Sequence, residues 1–177
     1  MLYLFGFDRI GVAVSDIFFV DPQPMKGQEG AEHGVRLELR RLETGELKGS
    51  IYSARPITVD RPIWRVDLLE SVSGTPGSFD RTHHHPELRG WEPGRRVFDP
   101  RLSQEPLKWL QERLSDLEGV LDQAGEPRDA VSDADVKGLR ERAPEIVETV
   151  ARLLDTVRSS PVPEGAEVAT SVRASWL

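Results

Sequence analysis

Val35-Arg36-Leu37-Glu38-Leu39-Arg40 sets apolar and charged side chains in strict alternation. Successive side chains of a strand point to opposite faces, so this stretch predicts a β-strand with one face in a core and the other in water. Upstream, residues 2–7 and 10–20 read as two further strands, the second with Ile10, Val12, Val14, Phe18 and Val20 at period two. Residues 21–34, rich in Pro, Gly and charge, predict a mobile loop with His33 at its end. Downstream, Glu43-Thr-Gly45-Glu46 carries turn chemistry, and residues 50–60 and 62–72 read as two more strands. Pro56 and Pro62 cannot donate to a ladder and predict an edge, a bulge or a strand start there. Within 62–72, Trp64, Val66 and Leu68 take one face, and Ile63, Arg65, Asp67 and Leu69 take the other.

The period changes from two to 3.6 in the second half. Leu107, Leu110, Leu114, Leu117 and Leu121 form one helical stripe, with Ser103 as the predicted N-cap, Pro106 in the first turn and Gly125-Glu-Pro127 as the stop. Ser132-Asp-Ala-Asp135 resembles a capping box for a second helix reaching about residue 158, which Pro144 is expected to kink or split. Strands first and helices second predict an α+β fold: an antiparallel curved sheet or partial barrel over 1–103 and a helical hairpin over 104–160, followed by a tail, 161–177. The leucine stripe is expected to pack on the sheet, with a homodimer through helices 104–160 as the alternative use of that face. Trp91, Val97 and Phe98 are expected to anchor an irregular segment, 87–101, to the core, and the terminal Trp176-Leu177 is expected to dock on the domain.

Composition narrows the function classes. The chain has 177 residues, a net charge of −7 and no cysteine, which excludes disulfides and thiolate zinc sites and fits a reducing cytoplasm. Residues 1–103 carry 14 basic and 15 acidic side chains and residues 104–160 carry 8 and 13, so the acidity belongs to the helical end and argues against nonspecific coating of nucleic acid. Met1-Leu-Tyr-Leu-Phe-Gly-Phe lacks a basic n-region and is broken by Asp8-Arg9, so it reads as a strand and not as a signal peptide. No run reaches the ~18–20 apolar residues of a membrane helix, which predicts a soluble protein with no membrane partner. No phosphate-binding glycine loop, nucleophile elbow or His-Glu-x-x-His helix is present.

Three of the four histidines stand together in Phe79-Asp80-Arg81-Thr82-His83-His84-His85-Pro86. On a strand His83 and His85 share a face and His84 takes the other, so His83 and His85 are spaced to grip one transition-metal ion such as zinc, with His33, Asp67 or Glu87 as a third ligand. Without a metal, a hairpin joining 62–72 to 79–85 has two parities. In one, His83 and His85 join Arg65 and Asp67, giving an acid–base histidine, a carboxylate that fixes its tautomer, and Arg65 or Arg81 to hold a phosphate. In the other they face Trp64 and Val66 and are structural. Arg89-Gly-Trp91-Glu-Pro-Gly94-Arg95-Arg96 adds Trp91, Arg95 and Arg96 as residues able to stack on bases and touch phosphates. A solvated strand end is the reading without chemistry, and an interaction module using the leucine-striped helices and the tail is the non-enzymatic one.

Ile63-Trp64-Arg65-Val66-Asp67, followed past the 73–78 loop by His83-His84-His85-Pro86 and then by a helix, resembles the arrangement in TumE-like toxins of bacterial toxin–antitoxin modules, over roughly residues 35–120. Members of that family show an Arg-Tyr-Asp strand and a downstream His-rich strand. The resemblance implies Arg65, Asp67, His83, His84 and His85 as the catalytic positions, RNA as the target and an antitoxin as the partner. Val66 departs from the usual aromatic, the 73–78 loop lacks the family's Asn and His, and the helical half is longer.

Overall fold

The computed structural model describes residues 1–24 and 26–161, so the predicted docking of Trp176-Leu177 lies outside the described residues. Five strands, β1 (Leu2–Gly6), β2 (Ile10–Val20), β3 (Ala31–Thr44), β4 (Ile57–Ser71) and β5 (His83–His85), form an antiparallel sheet in chain order. The sheet stays open, with β1 and β5 at its edges, and no closed barrel forms. A two-stranded ribbon, β6 (Leu88–Arg89) and β7 (Glu92–Pro93), follows it. Then come helices α1 (Pro100–Gln104), α2 (Pro106–Ser115), α3 (Leu117–Ala124) and α4 (Asp133–Ser159).

The register sorts the side chains into two very different faces. Val12 pairs with Leu39 and Leu39 with Trp64; Val14 pairs with Leu37 and Leu37 with Val66; Val35 pairs with Leu68. All of these are buried, and together with Leu102, Trp109, Leu110, Leu114, Leu117, Leu121, Leu139, Ile146 and Val150 they make one core between sheet and helices. Burial of such a side chain stabilises the fold by about 1.5–3 kcal/mol each. The leucine stripe therefore packs inside the chain, with Leu107 at its half-buried margin. On the opposite face the same register sets Ser15, Arg36 and Asp67 in one row and Ala13, Glu38 and Arg65 in the next.

Several boundaries differ from expectation for local reasons. The predicted strands 50–60 and 62–72 are one strand, β4, because Pro62 sits at a register shift opposite Arg40 and the ladder resumes at Leu42–Val59 beyond it. Residues 50–56 belong to the loop, with Ile51 and Tyr52 exposed. His33 is not in a mobile loop but within β3. The predicted helix from Ser103 is three helices. Ser103 lies inside α1, which Asp99 caps by accepting the Arg101 N–H; Pro106 starts α2; and Asp116 leaves the helical region (φ −119°) and turns its carboxylate to the Gly119 N–H to start α3. Gly125 ends α3 in the left-handed region, φ 68°. Pro144 does not split α4, since both Pro144 and Arg140, whose carbonyl loses its donor, face water. Trp91 is not a core anchor: it is 62 % exposed at the tip of the ribbon, under the Arg40 guanidinium.

The capping box at α4 also ties down the sheet. Asp135, fully buried, accepts from the Ser132 backbone and hydroxyl and, through its other oxygen, from the backbone N–H groups of Asp8 and Arg9 in the β1–β2 turn. Removing it leaves three backbone donors without their acceptor. Asp135→Ala is expected to cost about 2 kcal/mol, read as a shift of the urea midpoint, and Asp135→Asn to cost less.

Candidate functional site

Whether the histidines meet Arg65 and Asp67 depends on the β4–β5 register. Arg65 pairs with His85, Val66 with His84, and Asp67 with His83. His83 and His85 thus extend the polar rows begun by Arg36 and Glu38, whereas His84 extends the apolar row Val14–Leu37–Val66 on the helix-bearing face. The strand is only three residues long, shorter than the predicted 79–85. Thr82 replaces the next rung with its side chain, accepting the Leu69 N–H (3.0 Å) and donating to the Leu69 carbonyl (2.9 Å).

Asp67 is the hub. Its carboxylate, 1 % exposed, accepts from Arg36 Nε at 2.7 Å and Arg65 Nε at 3.0 Å, with Arg65 Nη2 at 2.8 Å. Burial by itself raises this carboxyl, but the Arg36 hydrogen bond and the charges of Arg36 and Arg65 outweigh it and hold the group below the usual carboxylate range. Asp67 therefore stays ionised at neutral pH. The two histidines are oriented from behind. His83 Nδ1 lies 2.8 Å from the Arg81 carbonyl and His85 Nδ1 lies 2.9 Å from the Gly94 carbonyl. A carbonyl only accepts, so each Nδ1 carries the hydrogen and each neutral ring presents a lone pair at Nε2. Both Nε2 atoms face the same oxygen, Oδ2 of Asp67, at 3.5 Å for His83 and 3.9 Å for His85.

That convergence brings three electron-rich atoms together. Asp67, His83 and His85 each offer one ligand atom, all within 4.8 Å of one another. Two ligands about 2.1 Å from a tetrahedral ion stand roughly 3.4 Å apart, close to the 3.5 Å between His83 Nε2 and Oδ2, whereas His85 Nε2 must draw in from 3.9 Å. His85 Nε2 has the Arg65 Nη2 donor 3.3 Å away, while His83 Nε2 is buried without a partner among the described residues. Phe98 covers the His83 ring at 5.5 Å, and the Arg36 and Arg65 side chains beside the buried cluster are partly exposed.

The other expected site residues disperse. Arg81 folds back onto the Gly27 and Glu29 carbonyls and braces the 21–30 loop. Arg96 pairs with Asp21 and bonds Gln28. Residues 94–97 run beside β5, bridged by His84 and Val97, and their alternation turns Arg96 to the polar side and Arg95 toward His84. His84 itself packs against Trp64 and Trp109, at 6.4 and 5.1 Å between ring centres. His33 lies on the helix-bearing face 3.6 Å from Glu70, which also receives Arg158, so it is no ligand for the His83–His85 pair; Glu87 is placed beside His84. Arg36 was not foreseen. Its signal was the charged phase of the 35–40 alternation, which becomes meaningful only once Arg36 is known to pair with Asp67.

No known family matches the chain. Comparison with protein-family models, curated proteins and solved structures finds no match. No described helix is long and apolar enough to cross a membrane.

Burial lowers all three imidazoles of the run, His84 and His85 to about 4. Between pH 6.5 and 4 the unfolded chain binds protons there and the folded chain does not, so stability rises with pH across that window and is lost on acidification. The melting temperature measured in chelator should fall steadily from pH 6.5 to pH 4; a flat profile would contradict neutral buried rings.

Proposed function

We propose that Asp67, His83 and His85 bind one divalent transition-metal ion of the zinc class and that the protein is a small metal-dependent phosphodiesterase acting on RNA. The observation that carries this reading is the convergence of the two Nε2 lone pairs on Oδ2, with both Nδ1 hydrogens held by backbone carbonyls. Backbone carbonyls that accept the other ring N–H are how proteins fix the tautomer and direction of metal-ligating histidines. Nitrogen and carboxylate donors without thiolate suit zinc, and three protein ligands leave a position for water. When bound, the ion supplies Lewis acidity and an acidified water. Arg36 and Arg65, at the solvent side of Asp67, neutralise the charge that develops on the phosphoryl oxygens. RNA, and an antitoxin as the protein that restrains the activity, enter through the resemblance to TumE-like toxins.

One observation favours a metal-free version of the same chemistry. Arg65 Nη2 stands within reach of both Oδ2 and His85 Nε2, so its guanidinium fills the cationic position in the protein without metal. His83 would then act as general base through Nε2, with the Arg81 carbonyl orienting its ring. Incubation of purified protein with a labelled oligoribonucleotide separates the readings. The metal-dependent reading expects cleavage that is lost in chelator, restored by zinc, manganese or cobalt, and absent from the His83→Ala/His85→Ala variant. Cleavage that persists in chelator but fails in the variant selects the metal-free version. RNA left intact by wild-type protein under all of these conditions sinks both.

A further inference from the structure

Across β5 from Asp67 lies a second cleft that the proposed reaction does not use. It is lined by His84, Glu87, Arg95, Val97, Arg113 and Gln123, between the segment after β5 and helices α2 and α3. In a chain of net charge −7, most arginines of the described fold have acidic partners. Arg95 and Arg113, which line this cleft together, are among those that do not: among the described residues neither has a carboxylate within ion-pair distance. Arg113 lies over Trp109, its guanidinium carbon 4.9 Å from the ring centre. Arg95 reaches the cleft from the exposed strand-like segment 94–97. His84, 6 % exposed, also lines the cleft, and its buried Nδ1 has no hydrogen-bond partner among the described residues.

The nearby acids do not satisfy these groups. Asp99 is committed to the Arg101 N–H and, at 2.9 Å, to Trp109 Nε1. Glu87 is exposed and forms no ion pair with either arginine among the described residues. Two guanidinium groups without ion-pair partners among the described residues, the His84 imidazole and the Gln123 amide line one concavity and make it a candidate anion site. Donors on several separate side chains suit the several oxygens of a tetrahedral dianion, whereas a planar carboxylate is taken by the fork of a single arginine. The cleft, ≈ 430 Å³, has room for the group that bears the anion as well.

We propose that this cleft binds a terminal phosphate group, held by Arg95, Arg113 and His84, with Gln123 as a neutral donor. The site is separate from the Asp67 centre and does not depend on a metal there. Its ligand is a small phosphomonoester or the phosphorylated end of an oligonucleotide, which share this chemistry.

Calorimetric titrations in excess EDTA test it independently of any metal. The probes are inorganic phosphate, a ribonucleoside 5′-monophosphate, and a trinucleotide with and without a 5′-phosphate. Wild-type protein should bind at least one phosphate-bearing probe, and Arg95→Gln and Arg113→Gln should each weaken it by about tenfold or more, while Arg89→Gln, a change at the exposed β6–β7 ribbon, leaves it unchanged. Comparable affinity for the mononucleotide and the phosphorylated trinucleotide assigns the site to small phosphomonoesters; binding confined to the phosphorylated trinucleotide assigns it to nucleic-acid ends. The proposal is overturned if no probe binds, if the trinucleotide binds equally well without its phosphate, or if Arg95→Gln, which touches no core packing, retains wild-type affinity.

Discussion

Asp67→Ala is expected to destabilise the protein by about 3–5 kcal/mol, near the top of what a single substitution does. The carboxylate is buried and takes hydrogen bonds from two guanidinium groups, so its removal strands Arg36 and Arg65 as like charges a few ångströms apart in a partly desolvated site. The effect should depend on charge more than on shape. Asp67→Asn keeps the volume and one acceptor oxygen but not the neutralisation, and it should recover only a minor part of the loss. Double substitution, Asp67→Ala with Arg65→Met, should be less damaging than Asp67→Ala alone, because it removes a stranded cation along with its partner. Urea unfolding of the four proteins reads this directly. A loss under about 1 kcal/mol for Asp67→Ala would mean that the Arg36–Asp67–Arg65 row is exposed, in the manner of ordinary surface ion pairs.

Gly34→Ala should be worse still, upward of about 4 kcal/mol and sufficient to prevent soluble expression. Gly34 has φ 154°, and a Cβ built on it would stand 2.0 Å from the Leu68 carbonyl oxygen of the neighbouring strand. Backbone cannot swing aside as a side-chain end can. The nearest relief is to part β3 from β4 between Val35–Leu68 and Glu32–Ser71, beside the pair that brings Arg36 to Asp67. Thermal melts of any protein recovered should show a lower midpoint together with weakened metal binding. A variant that melts with the wild type would mean that the β3–β4 pairing at this point is looser than described.

Most of the sheet was legible from alternation alone. Ile10, Val12 and Val14, then Val35, Leu37 and Leu39, then Trp64, Val66 and Leu68 repeat at period two and line one buried face. The helical stripe was equally legible, since Leu110, Leu114, Leu117 and Leu121 stay on one face although the helix is interrupted at Asp116. What failed was punctuation. Residues 50–60 and 62–72 read as two strands, yet Pro62 takes the bulge among its three expected places and one strand runs through it; Pro144, read as a kink or a split, leaves α4 a single helix. Asp116, an ordinary polar residue in a helical pattern, starts a new helix by capping it.

The site was legible as a set of residue types and not as an arrangement. The run His83-His84-His85 advertises three imidazoles, yet a strand must divide them between faces, and which pair meets Arg65 and Asp67 depends on register. Register is set by the 72–82 connection, where Thr82 bonds both backbone groups of Leu69, a contact with no local pattern in the sequence. Arg36 was invisible for the same reason, because it becomes a site residue only by lying opposite Asp67. Arg81, Arg95 and Arg96 looked alike as cations, and the pleat and the 21–30 loop sent them to three different places.

The central claim is that His83 and His85, and not His84, form one metal-binding unit with Asp67. The direct measurement is the metal content of chelator-stripped protein after incubation with zinc and gel filtration, taken by elemental mass spectrometry on wild type, His83→Ala, His85→Ala and His84→Ala. The account predicts one ion per chain for wild type and for His84→Ala, and none for the other two. An ion retained by His83→Ala, one lost from His84→Ala while its fold persists, or a wild-type protein that takes up no zinc, cobalt or manganese would contradict it.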